Sequence, residues 1–404
     1  MDKQTELSGE QSQGCLMSPT ITRTKGNIVK RLATTIAALA ATLSAACAEP
    51  AKIGFITTLS GPGAGLGADL RDGFMLGLKK ANAEDVEVVV EDDAQKPEVS
   101  VQIANKMIQN DKVDLITGII WSNLTLAVVP NVTRQNMIYI SPNPGPSQLA
   151  GANCNKNYFN VSYQNDNFYE AAGDYANKDF KKMFLMVLNN PAGKDAAAGF
   201  KRYYKGELAG EILVSVSQTD YAAEIAQIRA SQADGLFFFL PGGLGIAFNK
   251  QFAQSGLTMP LMGPAFSFSQ DVLPASGDSV LGVKNTASWS PDLDNPVNKA
   301  FVADFQAEYG RLPSIYAAQS FDTANLILSA RKKASIKDTD AFRTALEVAD
   351  FASVRGDFSF NTNHHPIQDI YVREVVKVDG VLTNKILEKV FDNHKDFYAD
   401  QCKM

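Results

Sequence analysis

The run Gly235–Leu240, GLFFFL, is too short for a helix and carries no polar position on either alternating face. A strand of that kind must be covered on both sides, which is the situation inside a parallel sheet flanked by helices. The surrounding pattern agrees. Lys52–Thr58 reads as a strand, Leu66, Leu70, Phe74 and Leu78 as one face of a helix, Val86–Glu91 as a strand, and Val101, Ala104 and Ile108 as a second helix. The alternation restarts with a strand at Met183–Leu188 and a helix bearing Phe200 and Tyr203. A strand over Glu211–Ser215 and a helix with Tyr221, Ile225 and Ile228 then lead into Gly235–Leu240. A helix over Leu244–Gln254 and a strand over Met259–Met262 follow. Repeated βα units imply parallel sheets with right-handed crossovers. Two series of similar build predict an α/β chain of two Rossmann-like lobes, parallel sheets flanked by helices.

The last third starts no third series. Phe301, Phe305 and Tyr309 form one helical stripe, Ala317, Phe321, Ala324 and Leu328 another, and Phe342–Val348 a third, before strands at Phe358–Phe360 and Ile370–Val378. Part of this segment must complete each lobe, so the chain crosses between them more than once and the hinge has several strands. The expected boundaries are 49–167 plus 294–353 for the N-terminal lobe and 168–293 plus 354–404 for the C-terminal lobe.

Asp114–Pro146 reads as strand, helix, strand: DLITGII, then a segment with Leu124, Ala127, Val128 and Val132 at helical spacing, then MIYIS ending in a Pro/Gly loop. Ser122 or Asn123 stands where an N-cap belongs, so the free N–H groups of this helix would open onto the carboxyl ends of two parallel strands. Backbone and one hydroxyl there suit an anion or a carbonyl oxygen. The second strand delivers Asn143 and Gly145 to the same edge, which makes this stretch half of a binding cleft.

The first 48 residues are set apart from the fold. Arg23, Lys25, Lys30 and Arg31 precede the uncharged run Leu32–Cys47, and Ala46-Cys47-Ala48 offers a signal peptidase the small residues it needs before Glu49. That run is too short and too rich in Ala and Thr to span about 30 Å of hydrocarbon. Ser44 stands where a lipobox wants an aliphatic residue, which weakens lipidation of Cys47, and Met17 competes with Met1 as the start. Export to the periplasm is the expectation. Cleavage after Ala48 removes Cys15 and Cys47 and leaves Cys154 and Cys402, which suggests one disulfide, with two free thiols as the alternative. A net charge of −6 without a Lys/Arg cluster argues against nucleic acid as a partner.

Enzyme signatures are weak. Gly61–Leu70, GPGAGLGADL, lacks the Lys-Ser/Thr of a P-loop and misses the GxGxxG spacing, and no GxSxG occurs. His364, His365 and His394 lie near the C-terminus away from Ser122, and the pair before Pro366 reads as a solvated turn rather than half of a metal site. No catalysis, cofactor or metal is expected.

The chain resembles the periplasmic substrate-binding proteins of branched-chain amino-acid type ABC importers, which share the type I periplasmic-binding fold. The resemblance spans Glu49 to about Asp379. It is carried by KIGFITTLSGP, VVEDDAQKP, TGIIWSN, YISPNPGPS, LPGG, PLMGP and GRLPSIYAAQSFDTANLI in that order. It implies a monomer that closes two lobes over a small ligand by a hinge motion and then docks on permease subunits in the inner membrane. It also implies a structural role for Asp92 and Asp93 at the first-lobe edge. The same fold serves ligand-sensing domains that signal to a membrane receptor, which is the alternative output.

Departures from the family pattern narrow the ligand. Where amino-acid binders carry a glutamate for the ligand ammonium, this chain has Ala265; where they use a threonine hydroxyl it has Gly145, and where they use tyrosines it has Leu66 and Ala192. Ser122 is kept. A buried ammonium without a counter-charge costs several kcal/mol, so an organic acid lacking the amine is the better fit. Trp121, Phe266, Phe268, Trp289 and Phe321 fall at or near cleft edges, and the SPNPGPS type is similar to aromatic-acid binders; amino acids, held through Asp292 or Asp322, remain the alternative. The family's usual disulfide is missing, with Gln95 and Trp121 at its positions.

Overall fold

The structure is a computed structural model that describes residues 50–404. The leader, with Cys15, Met17 and Cys47, lies outside the described residues. Strands β1 (Ala51–Thr57), β2 (Val86–Asp92), β3 (Leu115–Thr117), β4 (Ile138–Ser141) and β5 (Tyr158–Asn160) form one parallel sheet in the order β2-β1-β3-β4-β5. Next come β6 (Lys182–Leu188), β7 (Glu207–Val214), β8 (Gly235–Phe239), β9 (Leu261–Pro264) and β10 (Lys284–Ala287). With β11 (Ser359–Phe360), β12 (Pro366–Val378) and β13 (Val381–His394) these build a second sheet, ordered β11-β12-β10-β9-β8-β6-β7, in which β13 pairs with β12. Strands β6 to β10 are parallel, and β12 runs antiparallel to β10. In both sheets the strand order reverses beside the first strand, at β1/β3 and at β6/β8, the position where doubly wound folds open a crevice at the strand carboxyl ends.

Helices cover both sheets. The helix Ala64–Lys80 packs against Ile315–Arg331, and its flank is tied to Pro296–Tyr309 by Lys79–Glu308 and Lys80–Asp304 ion pairs and by the Tyr309 hydroxyl donating to the Asp72 carbonyl at 3.0 Å. The late helices thus complete the first lobe, while β11 to β13 extend the second sheet. In β8, Phe237 and Phe238 are wholly buried on opposite faces, as the GLFFFL run requires.

Several elements differ from the sequence reading. β3 stops at Thr117 rather than running to Ile120, because Gly118 turns the chain with φ 104°. The strand expected at Glu211 begins at Glu207, and the pattern gave no sign of β5, of the helix Asn167–Ala176, of β10 or of β13. β5 and β10 are only three and four residues long, below the length at which alternation is visible. His364 and His365 are buried rather than solvated: His364 stacks on Phe159 with ring centroids 4.1 Å apart, and burial lowers the pKa of both imidazoles. Among the described residues no group of three His, Cys, Asp or Glu is placed to hold a metal, and no helix is long and apolar enough to cross a membrane. Cys154 and Cys402 form a disulfide, tying the tail beyond β13 to the loop before β5.

The chain passes between the sheets three times, after β5, after β10 and before β11. Arg355, on the third crossing, gathers the first one: its guanidinium donates to the carbonyls of Val161 at 2.6 Å and Ser162 at 2.8 Å, to Gln368 Oε1 in β12 at 2.8 Å, and to Asp322 Oδ2 at 3.0 Å. Arg373 of β12 does the same for the second crossing through the Trp289 carbonyl, at 2.7 Å. Burial raises the Asp322 pKa and lowers that of Arg355, so the pair is held by its many hydrogen bonds, with Ser353 and the Val354 N–H also donating to Asp322, as well as by charge. Replacing Arg355 by Ala strands a buried carboxylate and three acceptors, and about 3–5 kcal/mol of unfolding free energy should be lost in urea titrations. A loss below about 1 kcal/mol would show that water repairs the crossing.

Candidate ligand-binding site

Seven parallel strands of the two sheets aim their carboxyl ends at one small enclosed cavity. Leu66 follows β1, Ile120, Trp121 and Ser122 follow β3, Asn143 follows β4 and Tyr163 follows β5. From the other lobe come Leu188 at the end of β6 with Asn190 and Ala192 beyond it, Phe239 at the end of β8 with Pro241 beyond it, and Phe266 after β9; Tyr316 closes the ring from a helix start. The space between them is only about 20 Å³, room for one or two water molecules, so the lobes are closed on the site. At the lip a Cβ added to Gly242 would come within 2.6 Å of Leu66 Cδ1. A larger cleft of about 1100 Å³ opens on one flank, lined by Asp69, Asp72, Asp271, Arg311 and others, but most of its lining comes from helix flanks and the β12–β13 hairpin rather than from parallel-strand carboxyl ends. The small cavity is therefore the better candidate.

Ser122 is not the cap of its helix. Trp121 holds the N-cap conformation and its carbonyl receives the N–H groups of Leu124 and Thr125, at 3.1 and 3.0 Å. Ser122 and Asn123, the first helical residues, keep the remaining orphan N–H groups of the first turn. The Ser122 hydroxyl accepts from Asn165 Nδ2 at 3.0 Å, so its own proton is free for an acceptor on the cavity side. Asn143 Nδ2 donates to the Ile120 carbonyl at 2.9 Å, and its Oδ1 has no donor among the described residues. Trp121 Nε1 donates to Thr58 Oγ1 at 2.9 Å, and Thr58 in turn donates to Asp93 at 2.6 Å. Asp92 accepts from the N–H groups of Leu59 and Ala94, so this carboxylate pair shapes the first-lobe edge.

Aromatic faces form the rest. Phe266 packs on Tyr163 at 5.0 Å between ring centroids, on Tyr316 at 5.5 Å and on Phe168 at 5.7 Å. Burial raises the pKa of Tyr163 and Tyr316 well above the usual phenol value, so both stay neutral. Among the described residues no charged side chain lines the cavity.

Of the residues singled out from sequence, Leu66, Trp121, Ser122, Asn143, Ala192 and Phe266 share this cavity. Ala265 is buried beside Phe266, and Gly145 lies just behind, its N–H donating to Asn165 Oδ1 at 3.0 Å. Asn123 does not line the cavity, although its N–H is part of the helix start. Trp289 and Phe321 are elsewhere: Trp289 donates to Asn298 and packs on Phe301, and Phe321 packs on the other side of Phe301, so both are core. Phe268 likewise packs against Phe238 inside the second sheet. Asp322 is consumed by Arg355 and Asp292 by Ser290 and the Ile386 N–H, which removes both as partners for an ammonium. Tyr163, Asn190, Phe239 and Tyr316 were not anticipated. Tyr316 and Phe239 stand in or beside segments that carried the family resemblance, and Asn190-Pro191 after an apolar run is a helix-start signal.

A sequence model of the family described as "Periplasmic binding protein" matches residues 50–380. The chain is 27% identical over 382 residues to a Leu/Ile/Val-binding protein homolog of Brucella melitensis, covering 89% of this chain and 97% of that protein. Among solved structures it is similar to an ABC transporter solute-binding protein of R. palustris in complex with benzoate, with a TM-score of 0.82 and 29% identity over 87% of this chain and 99% of the other. A second, from Rhodopseudomonas palustris BisB5 in complex with 3,4-dihydroxy benzoic acid, gives a TM-score of 0.79 and 30% identity over 86% and 98%. With these matches spanning both lobes and the site between them, the chain belongs to the periplasmic binding protein family, of the branched-chain amino-acid type.

Proposed function

We propose that this protein is the solute-binding component of an ABC importer, which captures a small aromatic carboxylate between its lobes in the periplasm and delivers it to permease subunits in the inner membrane. The observation that carries the ligand class is the direction of one hydrogen bond. Because Ser122 Oγ accepts from Asn165, the serine proton is available to a ligand that presents an acceptor beside the orphan N–H groups of the helix. A carboxylate meets both demands. An α-ammonium finds no carboxylate in the lining. Trp121, Tyr163, Phe239, Phe266 and Tyr316 favour a flat apolar ring, and a ring hydroxyl would give Asn143 Oδ1 the donor it lacks. The benzoate and dihydroxybenzoate complexes of similar proteins point the same way.

The lobes, bounded as 49–167 plus 294–353 and 168–293 plus 354–404, part at the three crossings to admit ligand. Small-angle scattering of the mature monomer should then show a smaller radius of gyration at saturating ligand, with unchanged circular dichroism. An unchanged radius would mean a rigid scaffold.

Ligand class is tested by thermal shift of the purified protein. Benzoate, 4-hydroxybenzoate and 3,4-dihydroxybenzoate should stabilise it more than leucine, isoleucine or valine, by about 2.7 kcal/mol at a hundred times the dissociation constant. A response confined to the branched-chain amino acids would overturn the reading of the uncharged lining. Ser122→Ala should weaken carboxylate binding by roughly 1–3 kcal/mol in calorimetry, as one hydrogen bond to a charged acceptor is lost.

A further inference from the structure

Asp195 lies one turn into the helix Pro191–Tyr203 of the second lobe, with 5% of its surface exposed. Its carboxylate accepts three hydrogen bonds: from the Ser147 N–H at 3.0 Å, from the Ser147 hydroxyl at 2.7 Å, and from Asn165 Nδ2 at 2.9 Å. Ser147 opens the short helix after β4, in the first lobe, and Asn165 belongs to the crossing after β5. No donor comes from the helix that carries Asp195. The cation facing this corner, Arg202, pairs with Asp166 at 2.9 Å and with Glu170.

The Asn165 amide is placed between two partners. One hydrogen of Nδ2 is within reach of Ser122 Oγ at 3.0 Å and the other of Asp195 Oδ2, while Oδ1 receives the Gly145 N–H at 3.0 Å. The orientation of the amide is therefore fixed at three points. Separating the lobes breaks both Ser147 bonds to Asp195 and returns the carboxylate to water, so these bonds stabilise the closed form alone.

We propose that Asp195 is the latch of lobe closure, and that Asn165 makes the latch sensitive to what occupies Ser122. A ligand acceptor that takes the Ser122 proton holds the serine oxygen as an acceptor toward Asn165. The amide then keeps its second hydrogen on Asp195, which in turn is held ready for Ser147. Asp195 touches no ligand; it is a positioning residue acting through Asn165. The coupling to ligand rests on the assignment of the cavity as the binding site.

The test uses Asp195→Asn, Ser147→Ala and the double variant of the mature protein, with stopped-flow binding of benzoate and 3,4-dihydroxybenzoate and with scattering of the unliganded protein. Each single variant should raise the dissociation rate constant about ten- to a hundredfold and leave the association rate constant within about threefold, since charge-assisted bonds made only after closure are lost. The double variant should be no worse than Asp195→Asn alone, because the hydroxyl bond that Ser147→Ala removes is one of the three that the Asp195 carboxylate accepts. Unliganded Asp195→Asn should have a larger radius of gyration than the wild type. Wild-type dissociation rates in both single variants, or losses that add, would overturn the latch. If the wild type binds neither acid, the ligand assignment falls, and the unliganded scattering comparison still decides: equal radii overturn the latch and a larger one for the variant supports it.

Discussion

The relation of the two sheets rests first on one buried guanidinium. Arg355 reaches two carbonyls on the first crossing, a glutamine in β12 and an aspartate in a first-lobe helix, so three stretches far apart in sequence share one planar fork. Lysine cannot replace it, because a point charge does not meet four acceptors in one plane. Arg373 repeats the device on the second crossing with Asn285 and the Trp289 carbonyl. Rigid crossings allow the lobes to turn as bodies. In the proposed closure the cavity would open and close as a whole, without remodelling the strand ends that form it.

The cavity itself is defined by what it lacks. The first lobe supplies Ser122 with its proton free, two orphan N–H groups and an unpaired amide oxygen at Asn143; the second supplies mainly apolar walls. The buried carboxylates nearby have partners of their own, although one Asp93 oxygen has none among the described residues. Asp93 is held by Thr58 and the Gln95 N–H, Asp322 by Arg355, and Asp195 by Ser147 and Asn165. A ligand therefore meets fixed dipoles rather than formal charges, an arrangement that favours an anion over a cation without trapping it irreversibly.

Much of this was legible in the chain. The apolar run GLFFFL announces a buried parallel strand, the strand-helix-strand pattern of 114–146 put Ser122 and Asn143 at carboxyl ends, and the family resemblance pointed to Leu66 and Ala192. What stayed hidden shares a physical cause. β5 is three residues long, so Tyr163 and Asn165 after it had no strand to mark them, and Asp195 looks like any polar residue of an amphipathic helix until Ser147 is brought against it. Trp289 and Phe321 misled for the converse reason. An aromatic near a strand end has the same sequence signature whether it faces a cleft or, as here, the shared core around Phe301.

The surroundings of Gly145 leave no room for a side chain. A Cβ at this position would lie 2.2 Å from the Tyr163 carbonyl oxygen and 2.7 Å from Asn160 Nδ2, and both groups are fixed by the packing of β5 and the first crossing. Any hydroxyl-bearing side chain at 145 requires that backbone to retreat first. A single substitution at 145 therefore cannot add a hydroxyl to the cavity wall without displacing the first crossing, so packing alone keeps this corner free of a side chain.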